Sequence, residues 1–190
     1  LAKARRLIYG LGLTDRVDFC VGDGALALVE KPDVAVIAGM GGQTIAGIVE
    51  RGRDVLSGAR LILQPNVAAP ELRARLQAAG FCIEDEAIAR DGRRLYVILV
   101  AKAGEMRLSP REIEVGPVLL RKRPENLPLY AAFRVRVAGK ALDGARRGHG
   151  DAAALEREIA IWEAILHDDG QGHTGASGGH RPAGDAGGVG

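Results

Sequence analysis

The chain has 190 residues, 47% of them apolar and 26% charged, with a net charge of +2. That supports a real core in one domain, or one domain with an appendage. It excludes a uniformly cationic, histone-like nucleic-acid binder but leaves room for a local basic face. No apolar run reaches membrane-spanning length, and the basic start LAKARRLIYG carries no signal-peptide cleavage site, so the expected compartment is the cytoplasm.

In chain order the elements alternate between helix and strand. Ala4, Leu7, Ile8 and Leu11 share one face of a helix over residues 2–9, which stops at Gly10 and Gly12. Residues 17–21 predict a short strand, and Gly22-Asp23-Gly24 turns into a short helix through Leu28. Residues 34–38 predict the next strand, followed by Gly39-Met40-Gly41-Gly42 and a helix to about Arg51. ARLILQPN predicts a strand closing in a turn, Gln64-Pro65-Asn66. Pro70 opens a helix that ends at Gly80. FCIEDEAIAR and RRLYVILVAKAG predict two strands joined at Asp91-Gly92. This alternation predicts an α/β fold: a parallel sheet covered by helices on both faces, with one antiparallel strand from the closing hairpin. Cys20 and Cys82 fall in strand-like runs without metal-ligand spacing and are expected to be buried, reduced thiols.

From Gly116 the pattern turns helical, interrupted by Pro124 and Pro128, as far as Arg147. A second helix begins behind the cap residue Asp151. Leu129, Phe133, Val137 and Ala141 on the first, and Leu155, Ile159, Trp162 and Leu166 on the second, form matching stripes that predict an antiparallel helical hairpin. The expected organisation is a sheet domain over 1–115, a helical domain over 116–169 and a Gly-rich, disordered tail over 170–190.

Ligands of such sheets bind outside the carboxyl ends of the strands, where the loops at 22–24, 39–42 and 64–66 should line one crevice. Each loop has two readings. The glycine turn lets a ligand approach the backbone, or is a bare tight turn; its spacing fits no common phosphate loop. Asp23 accepts hydrogen bonds from an adenine or ribose, or caps a helix. Gln64 and Asn66 read the edge of a base, or form a proline turn. Glu84, Asp85 and Glu86 read as a solvated acidic patch. His149, His167, His173 and His180 all lie in the helical part or tail and support neither a metal nor an acid–base site. Arg121, Lys122, Arg123, Arg134, Arg136 and Lys140 make the first appended helix and its approach basic. That face either tracks phosphates or pairs with the acidic second helix.

GDGAL, VAVIAGMGGQTI and LILQPN, in this order, resemble the bacterial tRNA (adenine-22-N1)-methyltransferase family, which uses S-adenosylmethionine. The resemblance implies a Rossmann-like class I methyltransferase sheet with a C-terminal antiparallel helical hairpin. It places Asp23, Gly24, Gly39, Met40, Gly41 and Gly42 at the cofactor, and Gln64, Pro65 and Asn66 in the substrate pocket. Arg121, Lys122, Arg123, Arg134, Arg136 and Lys140 would contact tRNA, and no metal is implied. The family's first motif, an Asp-x-Gly-Ser-Asp-His-Ala type loop, and its second strand have no counterpart here. The expectation is therefore an inactive fragment whose catalytic residue belongs to that portion. The alternatives are a degenerate tRNA- or RNA-binding module, a nucleotide-dependent oxidoreductase, and a scaffold that binds a partner through the Trp162 stripe.

Overall fold

The computed structural model describes residues 1–148 and 151–171. The chain forms two compact units, Leu1–Tyr130 and Ala131–Gly190. Among the described residues no helix is long and apolar enough to cross a membrane.

The first unit is built on strands β1 (Val34–Gly41), β2 (Arg60–Val67), β3 (Phe81–Asp91) and β4 (Arg94–Ala103), in the order β1-β2-β4-β3. Its helices are α1 (Ala2–Gly10), α2 (Gly42–Arg51), α3 (Arg53–Leu56), α4 (Ala69–Ala78), α5 (Pro110–Val115) and α6 (Pro117–Lys122). The crossover through α2 and α3 returns the chain to its starting end, so β1 and β2 are parallel. The hairpin reverses it: Asp91 pairs with Arg94 around Gly92 and Arg93, with Gly92 at φ 56°. β4 therefore runs antiparallel to both neighbours and lies between β2 and β3. Ile45 and Val49 of α2, Leu72 and Leu76 of α4, and Leu61, Leu63 and Leu99 of the sheet are buried. Each such side chain contributes about 1.5–3 kcal/mol on burial.

Several expectations change. Residues 17–21 form no strand, because no neighbouring strand takes up their backbone groups. Cys20 is consequently exposed and Cys82 only half-buried. The β1 run, apolar enough for a strand covered on both faces, lies at the sheet edge, with Val34 and Val36 exposed at 51% and 67%. The apolar face of α1 is exposed at Leu7 and Leu11. Gln64-Pro65-Asn66 is no turn but the interior of β2. The acidic patch is partly a core feature, since Glu86 is buried against Arg73. The two units divide after Tyr130, not near residue 115, because α5 and α6 pack on α4 and β3.

The second unit holds most of α7 (Leu127–Arg147) and α8 (Ala152–Gln171). Asp151 caps α8, accepting the Ala154 N–H at 3.0 Å. Arg134 pairs with Glu158 at 2.7 Å and lies over the Trp162 ring, while Arg146 pairs with Glu156 at 2.8 Å. Higher positions on α7 meet lower positions on α8, so the helices run antiparallel. The buried face of α7 is not the predicted one. Leu129, Phe133, Val137 and Ala141 are exposed, and Leu127, Tyr130, Ala131, Ala138 and Leu142 are buried. Helix α7 carries apolar residues at helical spacing on two faces, and periodicity alone does not choose between them. On α8, Trp162 is buried as expected, which takes it away from the partner-binding role of the scaffold reading. Of the predicted tail, Gly170 and Gln171 still belong to α8. Residues 172–190, with His173 and His180, lie outside the described residues, as does His149.

Candidate functional site

The carboxyl end of β1 departs from a regular strand, and Pro65 supplies the reason. In the β1–β2 ladder Ala38 faces Gln64, Met40 faces Pro65 and Gly41 faces Val67. Proline has no N–H to give a ladder, so the register slips there and Gly39 is left over as a bulge. Gly39 takes φ 78°, a conformation natural only to glycine, and the position of a Cβ on it is open space. Its orphaned peptide groups are satisfied by side chains. Gln64 Oε1 accepts the Gly39 N–H at 2.9 Å, and Asn66 Nδ2 donates to the Gly39 carbonyl at 2.8 Å. The family resemblance put these two amides in the substrate pocket; in the structure they are bonded to the glycine turn.

Gly41 and Gly42 follow with different constraints. Gly41 lies at φ −69° as the cap of α2, where any residue fits. Gly42 is buried, and a Cβ on it would sit 2.0 Å from the Ala68 carbonyl oxygen. Close packing alone therefore accounts for Gly42.

Beside this turn runs a groove of about 550 Å³, lined by Gly24, Ala25, Leu28, Val36, Met40 and Ile48 among others. Its volume falls in the range of small-molecule sites, and its lining is mostly apolar. Asp23 stands at the cap position of a 3-10 turn, Gly24–Ala27, yet its side chain makes no capping bond. Instead its carboxylate accepts from Arg51 at 3.2 Å in an exposed pair. Such a pair contributes only about 0–1 kcal/mol, so a ligand competes for Asp23 at little cost.

The basic residues separate by partner. Lys122 donates to Asp85 at 2.7 Å; with the Glu86 N–H, it holds the Asp85 carboxyl below its ordinary range. Arg134 is half-buried and engaged by Glu158. Arg121, Arg136 and Lys140 are exposed, Arg136 with its guanidinium over Phe133. Arg123 ends α6 in the left-handed region at φ 44°. The pairing reading thus holds at Arg134 and Arg146, while the exposed cations keep the phosphate-tracking reading open.

Sequence reasoning missed the Arg73–Glu86 pair entirely. The one available signal was an arginine on the apolar side of the α4 pattern, between Leu72 and Leu76.

Strand order and crossover define the class, a Rossmann-like α/β protein. Its groove runs along β1 from Pro32 to Met40; of the three expected loops it takes in Gly24 and Met40, while Gln64, Pro65 and Asn66 lie outside its lining. The chain belongs to the family described as TrmK: tRNA (adenine(22)-N(1))-methyltransferase, whose sequence model matches residues 1–141. The tRNA (adenine(22)-N(1))-methyltransferase of Bacillus subtilis (strain 168) is 41% identical over 106 residues, 54% of this chain and 44% of that protein. The chain thus spans less than half the length of this curated relative. Among solved structures, a protein of the NADB-Rossmann superfamily from Streptococcus agalactiae superposes with a TM-score of 0.77 at 31% identity. That match covers 86% of this chain and 73% of the other. The Streptococcus pneumoniae protein Sp1610, in complex with S-adenosyl-L-methionine, superposes with a TM-score of 0.76 at 32% identity, covering 86% and 75%.

Proposed function

We propose that the chain is part of an S-adenosylmethionine-dependent methyltransferase that modifies N1 of adenine 22 in tRNA, in the cytoplasm. The observation that carries this reading is the bulged Gly39 turn beside an apolar groove, in a chain of this family. The open space over Gly39 and the groove volume suit a nucleoside-sized cofactor. When bound, S-adenosylmethionine supplies an electrophilic methyl group. Asp23 and Gly24 would hold its adenosine end, and Met40 and the Gly39–Gly42 backbone would flank its methionine end. Adenine N1 is itself a nucleophile, so the protein's part is alignment and exclusion of water. The target base must leave its stack to reach such a groove. Arg121, Arg136 and Lys140, exposed on α6 and α7, would contact tRNA phosphates.

A second reading, tRNA binding without transfer, draws on the exposure of Val34 and Val36, which leaves the β1 side of the groove open. One experiment separates the two. The whole protein of which the chain is part is incubated with a tRNA transcript and methyl-labelled S-adenosylmethionine, and the product is mapped by primer extension. Label at adenine 22 is the expected result. Retention of tRNA without label supports the second reading, and label at another nucleotide refutes the proposed target.

A further inference from the structure

Gln64 and Asn66 lie two residues apart on β2, so their side chains share one face of the sheet, while Pro65 between them is buried on the other. Their contacts close a circuit. The Gly39 N–H donates to Gln64 Oε1 at 2.9 Å, Gln64 Nε2 donates to Asn66 Oδ1 at 3.2 Å, and Asn66 Nδ2 donates to the Gly39 carbonyl at 2.8 Å. The circuit has one consistent orientation. A peptide N–H needs an acceptor and a peptide carbonyl needs a donor, and these two demands fix both amides. Flipping either amide breaks two of the three bonds. The Gly39 N–H is thereby taken up, while its carbonyl, which has two lone pairs, keeps one acceptor site.

We infer that Gln64 and Asn66 are positioning residues of the methyl-transfer site, acting through the Gly39 peptide they hold. This rests on the function proposed above. The bulge has no ladder partner, because Pro65 cannot supply one. Without the two amides, Gly39 is an exposed glycine free to sample both signs of φ. The adjoining Met40, part of the groove wall, would move with it. A displacement of about 1 Å at a reacting centre lowers rate by about 100-fold.

The test uses two nearly isosteric changes, Gln64→Glu and Asn66→Asp, in the whole protein of which the chain is part. The ionised carboxylate of Gln64→Glu still accepts from Gly39 but faces Asn66 Oδ1 with a second acceptor. The carboxylate of Asn66→Asp faces the Gly39 carbonyl with an acceptor. Two readouts are taken: hydrogen exchange at the Gly39 amide, and kcat and KM for methyl transfer to tRNA. The expected result is Gly39 exchange accelerated at least tenfold in a third variant, Gln64→Ala, which leaves the Gly39 N–H without its acceptor; Gln64→Glu and Asn66→Asp keep that acceptor and are read by their kinetics. The kcat falls by a similar factor or more, while KM for tRNA changes less than threefold. Gln64→Glu carries its own rescue. Once protonated, the new carboxyl donates its O–H to Asn66 Oδ1 and restores the circuit. Its deficit relative to wild type therefore shrinks as pH falls toward the glutamate range, about 4.3. The deficit of a control, Asn66→Ala, does not shrink, since that variant has nothing to protonate. Faster Gly39 exchange in Gln64→Ala with kcat within twofold of wild type overturns the inference, as does unchanged exchange in that variant. A wild-type whole protein that transfers no methyl group refutes the functional reading instead. The exchange readout then still decides whether the circuit holds the bulge.

Discussion

Glu86 is the residue whose removal should damage the sheet unit most. It is 3% exposed and its partner Arg73 is 1% exposed. Glu86 Oε1 accepts from Arg73 Nε at 2.8 Å. Oε2 accepts the N–H groups of Val118 and Leu119, in the first turn of α6, at 2.9 and 3.4 Å. Arg73 Nη1 meanwhile donates to the carbonyls of Ile113 and Glu114 in α5, at 3.1 and 3.0 Å. One ion pair thus fastens α4, β3, α5 and the start of α6. Glu86→Ala leaves a buried cation unpaired, which costs about 3–5 kcal/mol. It also strips acceptors from buried N–H groups at about 1–3 kcal/mol each. These effects overlap, so about 4–5 kcal/mol is expected for the whole, against a typical domain stability of about 5–15 kcal/mol. The double replacement Arg73→Met with Glu86→Leu removes both charges and should recover at least half the loss, because an apolar pair of similar volume is often close to neutral. Urea unfolding followed by far-ultraviolet circular dichroism measures both, with equal m-values as the check on two-state behaviour. A Glu86→Ala loss under about 1 kcal/mol refutes the reasoning, as does a double variant no more stable than the single one.

Three further outcomes are expected. Gly42→Ala should cost several kcal/mol, because its Cβ would meet the Ala68 carbonyl at 2.0 Å; Gly41→Ala, whose nearest Cβ neighbour is Val67 at 3.7 Å, should cost only the loss of a favoured cap residue, about 1 kcal/mol, by the same unfolding assay. The Ser109–Glu112 capping box on α5 should make that helix acid-sensitive. The Ser109 N–H, then its hydroxyl, lower the Glu112 carboxyl below its ordinary value, so its contribution is present above that value and lost as pH falls through the lowered one; Glu112→Gln should flatten this acid limb in a pH series of unfolding curves. Charge reversal at Arg136 and Lys140 should weaken tRNA binding and reduce the slope of log K against log salt by about 0.7–0.9 per lost phosphate contact, whereas an unchanged slope would remove these residues from the interface.

The fold was legible where local chemistry decides it. Asp91-Gly92 announced the hairpin, Pro70 and Gly80 bracketed α4, and Asp151 capped α8. What escaped depended on a distant partner. Residues 17–21 have strand composition, but a strand exists only beside another strand. The stripe on α7 was misplaced because both of its faces carry apolar residues at helical spacing. Glu86 was read with its half-buried neighbours Glu84 and Asp85, since an arginine thirteen positions away gives no local sign that it will bury a carboxylate.

The candidate site shows the same division within three residues. Gln64-Pro65-Asn66 stood out in the sequence, because amides around a proline are unusual for a sheet interior. It was assigned the wrong local form, a turn, since proline most often marks one. In the structure the proline stays in β2, removes one ladder donor, and so creates the Gly39 bulge on its neighbour. The flanking amides then satisfy the groups that the bulge leaves free. Proline, the two amides and the glycine are one device spread over two strands, and each of its parts is needed for the turn beside the groove to hold its shape. Sequence order separates the glycine from the amides by 25 and 27 positions. Only the parallel pairing of β1 with β2 brings them together, which is why the residues could be named in advance and their joint role could not.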